Sequence, residues 1–188
     1  MRRGKIIILS GPSGSGKTTL YQKILASKKL SGRLIRCVSI TTRSRRAGEK
    51  HGRDYFFISP KAFLFKKRSG HFLESQKVFG NYYGTPQKGV KDLLKEGKNV
   101  LLTIDVKGAN VVRRKLPHAI TIFVKVPSLA ILKERLKQRG TETNQSLSLR
   151  MKVASEEMKQ AREYDYVIVN DNFSSCYQQL AKLILRIV

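Results

Sequence analysis

The chain alternates short apolar runs with segments whose apolar positions recur every three or four residues. Residues 5–10, 34–39, 99–105, 121–126 and 166–170 read as short buried strands. Residues 18–27, 109–115, 129–138 and 173–187 carry the helical period. Strand, helix, strand in repeated order is the grammar of βαβ units, so the pattern predicts a three-layer α/β/α core around a central parallel sheet. Helix punctuation agrees. Ser59 followed by Pro60 reads as an N-cap and first helical residue, Ser128 caps the helix after Pro127, and Gly97 stands where a helix from Pro86 should stop.

The rhythm breaks in two places. Between Ile40 and Thr85 it turns to short alternating stretches, at 55–58 and 72–78, around a loop rich in Gly and Arg, which predicts a small β-rich insertion. Residues 139–149 form a second, polar excursion placed to act as a lid. The expected organisation is a single domain: core at 1–38, 87–127 and 151–188, insertion at about 39–86 and a helical lid at about 128–150.

Composition narrows the setting. With 188 residues, 40% of them hydrophobic, the chain can bury a core without metal or disulfide staples. Cys37 and Cys176 lack metal-ligand spacing and read as small buried residues. Apolar runs such as Ile6 to Leu9 are far too short to span a bilayer, and Met1-Arg2-Arg3-Gly4-Lys5 leads into no signal-peptide core, so a cytoplasmic protein is expected. Lys plus Arg number 38 against 13 acidic residues, a net charge of +25 that attracts anions without saying which.

Position is more specific. Gly11-Pro12-Ser13-Gly14-Ser15-Gly16-Lys17-Thr18 fits G-x-x-x-x-G-K-[ST] between a predicted strand and a predicted helix, the context a phosphate loop requires. Glycines let successive N–H groups converge on phosphate, the helix N-terminus adds partial positive charge, Lys17 reaches the β and γ oxygens, and Thr18 can ligate Mg²⁺. A second anion could be held by the insertion. Thr41-Thr42-Arg43-Ser44-Arg45-Arg46-Ala47-Gly48-Glu49 supplies guanidinium forks, and Gly52-Arg53-Asp54-Tyr55 with Asn81-Tyr82-Tyr83-Gly84 adds phenol hydroxyls.

Together with Ser39-Ile40-Thr41-Thr42-Arg43, Ile104-Asp105, Arg139-Gly140-Thr141-Glu142 and Ile168-Val169-Asn170-Asp171, these segments follow an order and spacing that resemble guanylate kinase over nearly the whole chain. The resemblance implies ATP-dependent phosphorylation of GMP, and of dGMP, by direct in-line transfer with Mg²⁺. Carried over by position, Gly11 to Thr18 and Thr19 would bind ATP, with Asn170 near its adenine. Arg43, Arg46, Tyr55 and Tyr83 would hold the GMP phosphate, while Ser39, Glu74, Thr85 and Asp105 would read guanine. Lys17, Arg135, Arg139 and Arg150 would approach the transferred phosphoryl group. Carboxylate readers suit guanine, whose N1–H and N2–H₂ are donors; adenine would turn a bare acceptor toward them. A phosphate monoester is already largely dianionic at neutral pH, so the nucleophile needs no dedicated base.

Two positions depart from the pattern. Thr103 replaces an acidic residue usually two before Asp105, which points to weaker Mg²⁺ affinity or turnover, and Ser75 replaces the aromatic that commonly follows Glu74. The rival readings are a non-catalytic guanylate-kinase-like interaction module, a basic P-loop ATPase acting on nucleic acid, and a kinase of phosphorylated sugars. Lys17, Thr18 and the lid arginines count against the first, and Glu74 with Asp105 against the third. The lack of a nucleic-acid module sets the second aside. Nucleotides are the expected partners, with the chain a monomer or homodimer.

Overall fold

A computed structural model describes residues 4–138 and 144–188. Its main sheet has five parallel strands: β1 (Ile6–Ser10), β2 (Leu34–Arg36), β7 (Asn99–Thr103), β8 (Ile120–Lys125) and β9 (Tyr166–Val169), in the order β2-β7-β1-β8-β9. β1 is buried along its whole length because successive side chains serve opposite faces. Ile6 and Ile8 pack with Val100, Leu102 and Phe123 beneath α3 (Gln87–Lys95) and α4 (Val106–Lys115). Ile7 and Leu9 pack with Leu101, Ile122 and Val124 beneath α1 (Lys17–Leu25) and α7 (Phe173–Ile187). Three layers follow directly, as the alternation of apolar runs and helical periods predicts.

The insertion is a second sheet of four strands: β3 (Ile40–Thr41), β4 (Phe56–Phe57), β5 (Phe72–Val78) and β6 (Asn81–Pro86), in the order β4-β3-β6-β5. Its own small core forms around Phe63 of α2 (Pro60–Arg68), whose ring stacks on Phe72 at 4.6 Å and on Tyr82 at 5.3 Å. α5 (Leu129–Gln138) and α6 (Asn144–Lys159) pack through Leu132, Leu136, Leu147 and Ala154.

The predicted caps are in place. Ser59 Oγ accepts from Ala62 N and Ser128 Oγ from Ile131 N, each at 3.2 Å, and Gly97 takes φ 73° past the end of α3. Three elements differ from expectation. α4 begins at Val106 rather than 109, because Asp105 caps it by accepting from Gly108 N at 2.6 Å. α6 begins inside the expected helical lid and runs past its expected end at about 150 to Lys159; Leu147, Met151, Ala154 and Met158 carry a helical period that buries against α5. β9, expected to be buried, is a sheet edge: Ile168 is buried, whereas Val167 and Val169 are 45% and 44% exposed. Both cysteines are buried, as expected, and neither is in a disulfide. Among the described residues no helix is long and apolar enough to cross a membrane.

Candidate active site

A cavity of about 510 Å³ opens where the two sheets face each other, at the carboxyl ends of the core strands. One wall is the phosphate loop. β1 hands the chain to Gly11, whose φ of 136° only glycine tolerates and whose missing Cβ would strike the Val124 carbonyl. Ser15 N donates to Pro12 O at 3.1 Å, so Pro12 and Ser15 keep the loop turned while Gly11, Ser13, Gly14, Gly16, Lys17, Thr18 and Thr19 face the cavity. Lys17 Nζ donates to the Gly11 and Pro12 carbonyls at 2.5 and 2.8 Å, which keeps the ammonium over the loop.

Asn170 braces the loop from behind. It is buried, donates from Nδ2 to Ser15 O at 2.8 Å, and occupies the space a Cβ on Gly16 would need. Arg135 Nη2 donates to Asn170 O at 2.9 Å, and both residues line a second hollow of about 400 Å³ outside the loop, with Gly14, Gly16, Asp171 and Phe173. The fold therefore separates Arg135 from Arg150. Arg150 lines the main cavity, reaches Ser13 Oγ at 3.2 Å, and lies 4.1 Å over the Phe79 ring of the insertion. Arg139 lies outside the described residues.

The opposite wall carries the insertion's phosphate-binding candidates. Arg43 is anchored by Glu49, whose two oxygens accept from Nη2 at 2.7 and 2.9 Å, and its guanidinium lies 5.7 Å from the Tyr55 ring centre. Arg46 is exposed, with its backbone N–H on Glu49 Oε2 at 2.9 Å. The Tyr55 and Tyr83 rings meet edge to face at 6.0 Å. Arg43, Arg46, Tyr55 and Tyr83 line one space, with Ser39 beside them.

The floor holds two carboxylates. Glu74, 5% exposed, accepts from Thr85 Oγ1 at 2.6 Å, and burial, reinforced by Asp105, pushes its carboxyl up to about 7. Burial also raises Asp105, against the pull of its Gly108 bond and of Lys17. The two side chains converge on the first turn of α4, where a Cβ on Gly108 would come within 2.8 Å of Glu74 Oε2 and 3.3 Å of Asp105 Oδ1. Thr85 is fully buried beneath Glu74 and does not line the cavity, so it orients that carboxylate from below.

Two residues escaped the sequence reading. Glu157 of α6 lines the cavity beside Lys17 and Asp105, and burial pushes its carboxyl up to about 7. Its signal is its spacing: seven residues after Arg150, two helical turns on, it lies on the same face. Arg36 clamps the insertion to the core, donating to the Arg53 and Asp54 carbonyls at 2.9 and 2.7 Å and to Thr103 Oγ1 at 3.3 Å. No linear motif marks it. Among the described residues, no three His, Cys, Asp or Glu side chains are grouped to hold a metal.

The family model described as guanylate kinase matches residues 3–186. The chain belongs to the guanylate kinase family. Within that family it is 43% identical to the guanylate kinase of Rubrobacter xylanophilus over 188 residues, covering 100% of this chain and 97% of that one. It is 41% identical to the guanylate kinase of Rickettsia prowazekii over 183 residues, 97% of this chain and 91% of that one. The crystal structure of guanylate kinase from Anaplasma phagocytophilum superposes with a TM-score of 0.77 at 32% identity, covering 98% of this chain and 86% of that one.

Proposed function

We infer that the chain transfers the γ-phosphoryl group of ATP to GMP, and to dGMP, giving ADP and the diphosphate. One observation carries the reading: a phosphate loop and a buried pair of carboxylates, Glu74 and Asp105, face each other across a single cavity. The loop N–H groups and Lys17 hold the ATP phosphates, and the hollow beside Arg135, Asn170 and Asp171 takes the adenine side. Arg43, Arg46, Tyr55 and Tyr83 take the GMP phosphate, which exchanges with Glu49 for the Arg43 guanidinium. Glu74 and Asp105 accept from the guanine N1–H and N2–H₂, with Ser39 alongside.

In the chemical step a dianionic oxygen of GMP attacks the γ-phosphorus. The new O–P bond forms as the bond to the β,γ-bridging oxygen breaks, and ADP leaves. Lys17 and Arg150 meet the charge on the transferred group, joined by Arg139 from the lid; Arg135 holds the Asn170 carbonyl and acts through the loop's position. The donor set suits Mg²⁺. Thr18, with Glu157 lining the same cavity, offers only oxygen, which suits a hard cation that arrives with the nucleotide. Bound there, Mg²⁺ would neutralise phosphate charge. Thr103, at the position where the resemblance implies an acidic residue, accepts from Arg36. The variant Thr103→Asp should lower the Mg²⁺ concentration needed for half-maximal rate, and an unchanged titration would remove that role.

The deciding assay is ADP release with ATP, Mg²⁺ and GMP, dGMP, AMP, CMP, UMP or no acceptor. Release with GMP and dGMP alone establishes the activity and its base reader. Binding of GMP without turnover would instead mark a non-catalytic module.

A further inference from the structure

The charge of +25 is not spread evenly. No Asp or Glu occurs from residue 1 to 48, or from 172 to 188. The fold packs these two acid-free stretches against each other, α1 on α7, at the face opposite α3 and α4. At the far end of α1 from the phosphate loop, residues 27–29 and the last turns of α7 line an open groove of about 640 Å³. Lys28 and Lys29 form one wall, Lys182 and Arg186 the other, and all four side chains are exposed. Tyr177, Ala181 and Leu185, each half-buried, form the floor. Lys23 lies 4.6 Å over the Tyr177 ring and extends the cationic line along α1.

This arrangement is built rather than scattered. Buried Leu30 and the bonds of Leu30 N and Ser31 N to Ser27 O, both 3.0 Å, pin the turn that presents Lys28 and Lys29. Lys182 and Arg186 are four apart on one helix and so share a face. Facing cations with no carboxylate among them repel, a cost that solubility alone does not require. Their spacing of about 6 Å along α7 is close to the phosphate repeat of an extended nucleic-acid strand, and an apolar, tyrosine-bearing floor suits a base or sugar face.

We propose that this groove binds single-stranded nucleic acid, RNA or DNA, through its phosphodiester backbone, at a site separate from the kinase cavity. A bilayer fits less well. The large apolar side chains that stand exposed, such as Phe65 and Leu149, lie elsewhere, and the groove is concave with none protruding. The linear sequence conceals the site because its walls lie about 150 residues apart.

The test measures anisotropy of a fluorescein-labelled twelve-nucleotide oligouridylate with excess GMP filling the kinase cavity. Four phosphate contacts give a log–log salt slope near −3, so affinity should fall roughly 50-fold between 50 and 200 mM salt. Replacing Lys28, Lys29, Lys182 and Arg186 together by Ala should weaken binding at least tenfold and flatten that slope, with GMP phosphorylation unchanged. Removing the same charge elsewhere, at exposed Lys67, Lys88, Lys91 and Lys95, should change binding by less than threefold. Equal loss in both variants would show attraction by net charge alone and overturn the groove. Retained binding in the groove variant would do the same, as would loss confined to phosphatidylglycerol vesicles. Should the groove variant fail to fold, acetylation of the unaltered protein decides: the oligonucleotide must protect Lys28, Lys29 and Lys182 over Lys88 and Lys91.

Discussion

At the scale of the residue, Glu74 carries the most consequence. Burial keeps it protonated to about pH 7 in the free protein, against about 4.3 for an exposed glutamate. Between those values the unfolded chain releases its proton first, so the free protein loses stability as pH rises through this window. On the proposed reading guanine binding runs the other way, because an ionised Glu74 accepts from a guanine donor whereas a protonated one turns a proton of its own toward it. KM for GMP should therefore fall up to about tenfold from pH 6 to pH 8, one unit either side of that value. In Glu74→Gln only the titration of the GMP phosphate itself should remain, and the preference for GMP over AMP should shrink by about 100-fold or more. Steady-state kinetics of both proteins across that range check the claim; identical profiles would mean that Glu74 does not touch the base. The residue type was legible from the sequence, but its protonation was not, since that depends on solvent excluded by β6 and α4.

At the scale of the element, two glycines carry close approaches that make distinct predictions. Gly108→Ala favours α4 by up to about 1 kcal/mol in helix propensity, yet its methyl group meets Glu74 Oε2, the mobile end of a side chain. Stability should hold while KM for GMP rises about tenfold or more and KM for ATP stays put, as thermal melts and two-substrate kinetics would report. Behind Gly16, Asn170→Ala strands the buried Ser15 carbonyl, a loss of about 1–3 kcal/mol. Calorimetry should show Tm lower by roughly 3–10 °C, with KM for ATP raised and KM for GMP little changed. The phosphate loop could be read in the sequence because one contiguous segment makes it. α6 was harder: its apolar stripe at 147, 151, 154 and 158 is diluted by polar residues, and only packing on α5 makes it decisive. The edge position of β9 was likewise invisible, because strand order is a property of the sheet and not of any one run.

At the scale of the whole molecule, net charge and topology act together. A strongly cationic protein draws anionic nucleotides toward the cleft, so kcat/KM for GMP should fall several-fold as ionic strength rises from 50 to 300 mM while kcat holds; a flat response would dismiss steering. By itself the sequence determined the alternating layers, the phosphate loop and the residues that resemble guanine and phosphate readers, because these reside in local periodicity and in contiguous motifs. Only the tertiary structure decided what those residues face. It put Thr85 beneath Glu74 rather than in the cavity, parted Arg135 from Arg150, brought Glu157 beside Lys17, and closed a basic groove from both ends of the chain. Such contacts join positions from eleven to more than a hundred residues apart, and their distances are set by how sheets and helices pack, which no local pattern encodes.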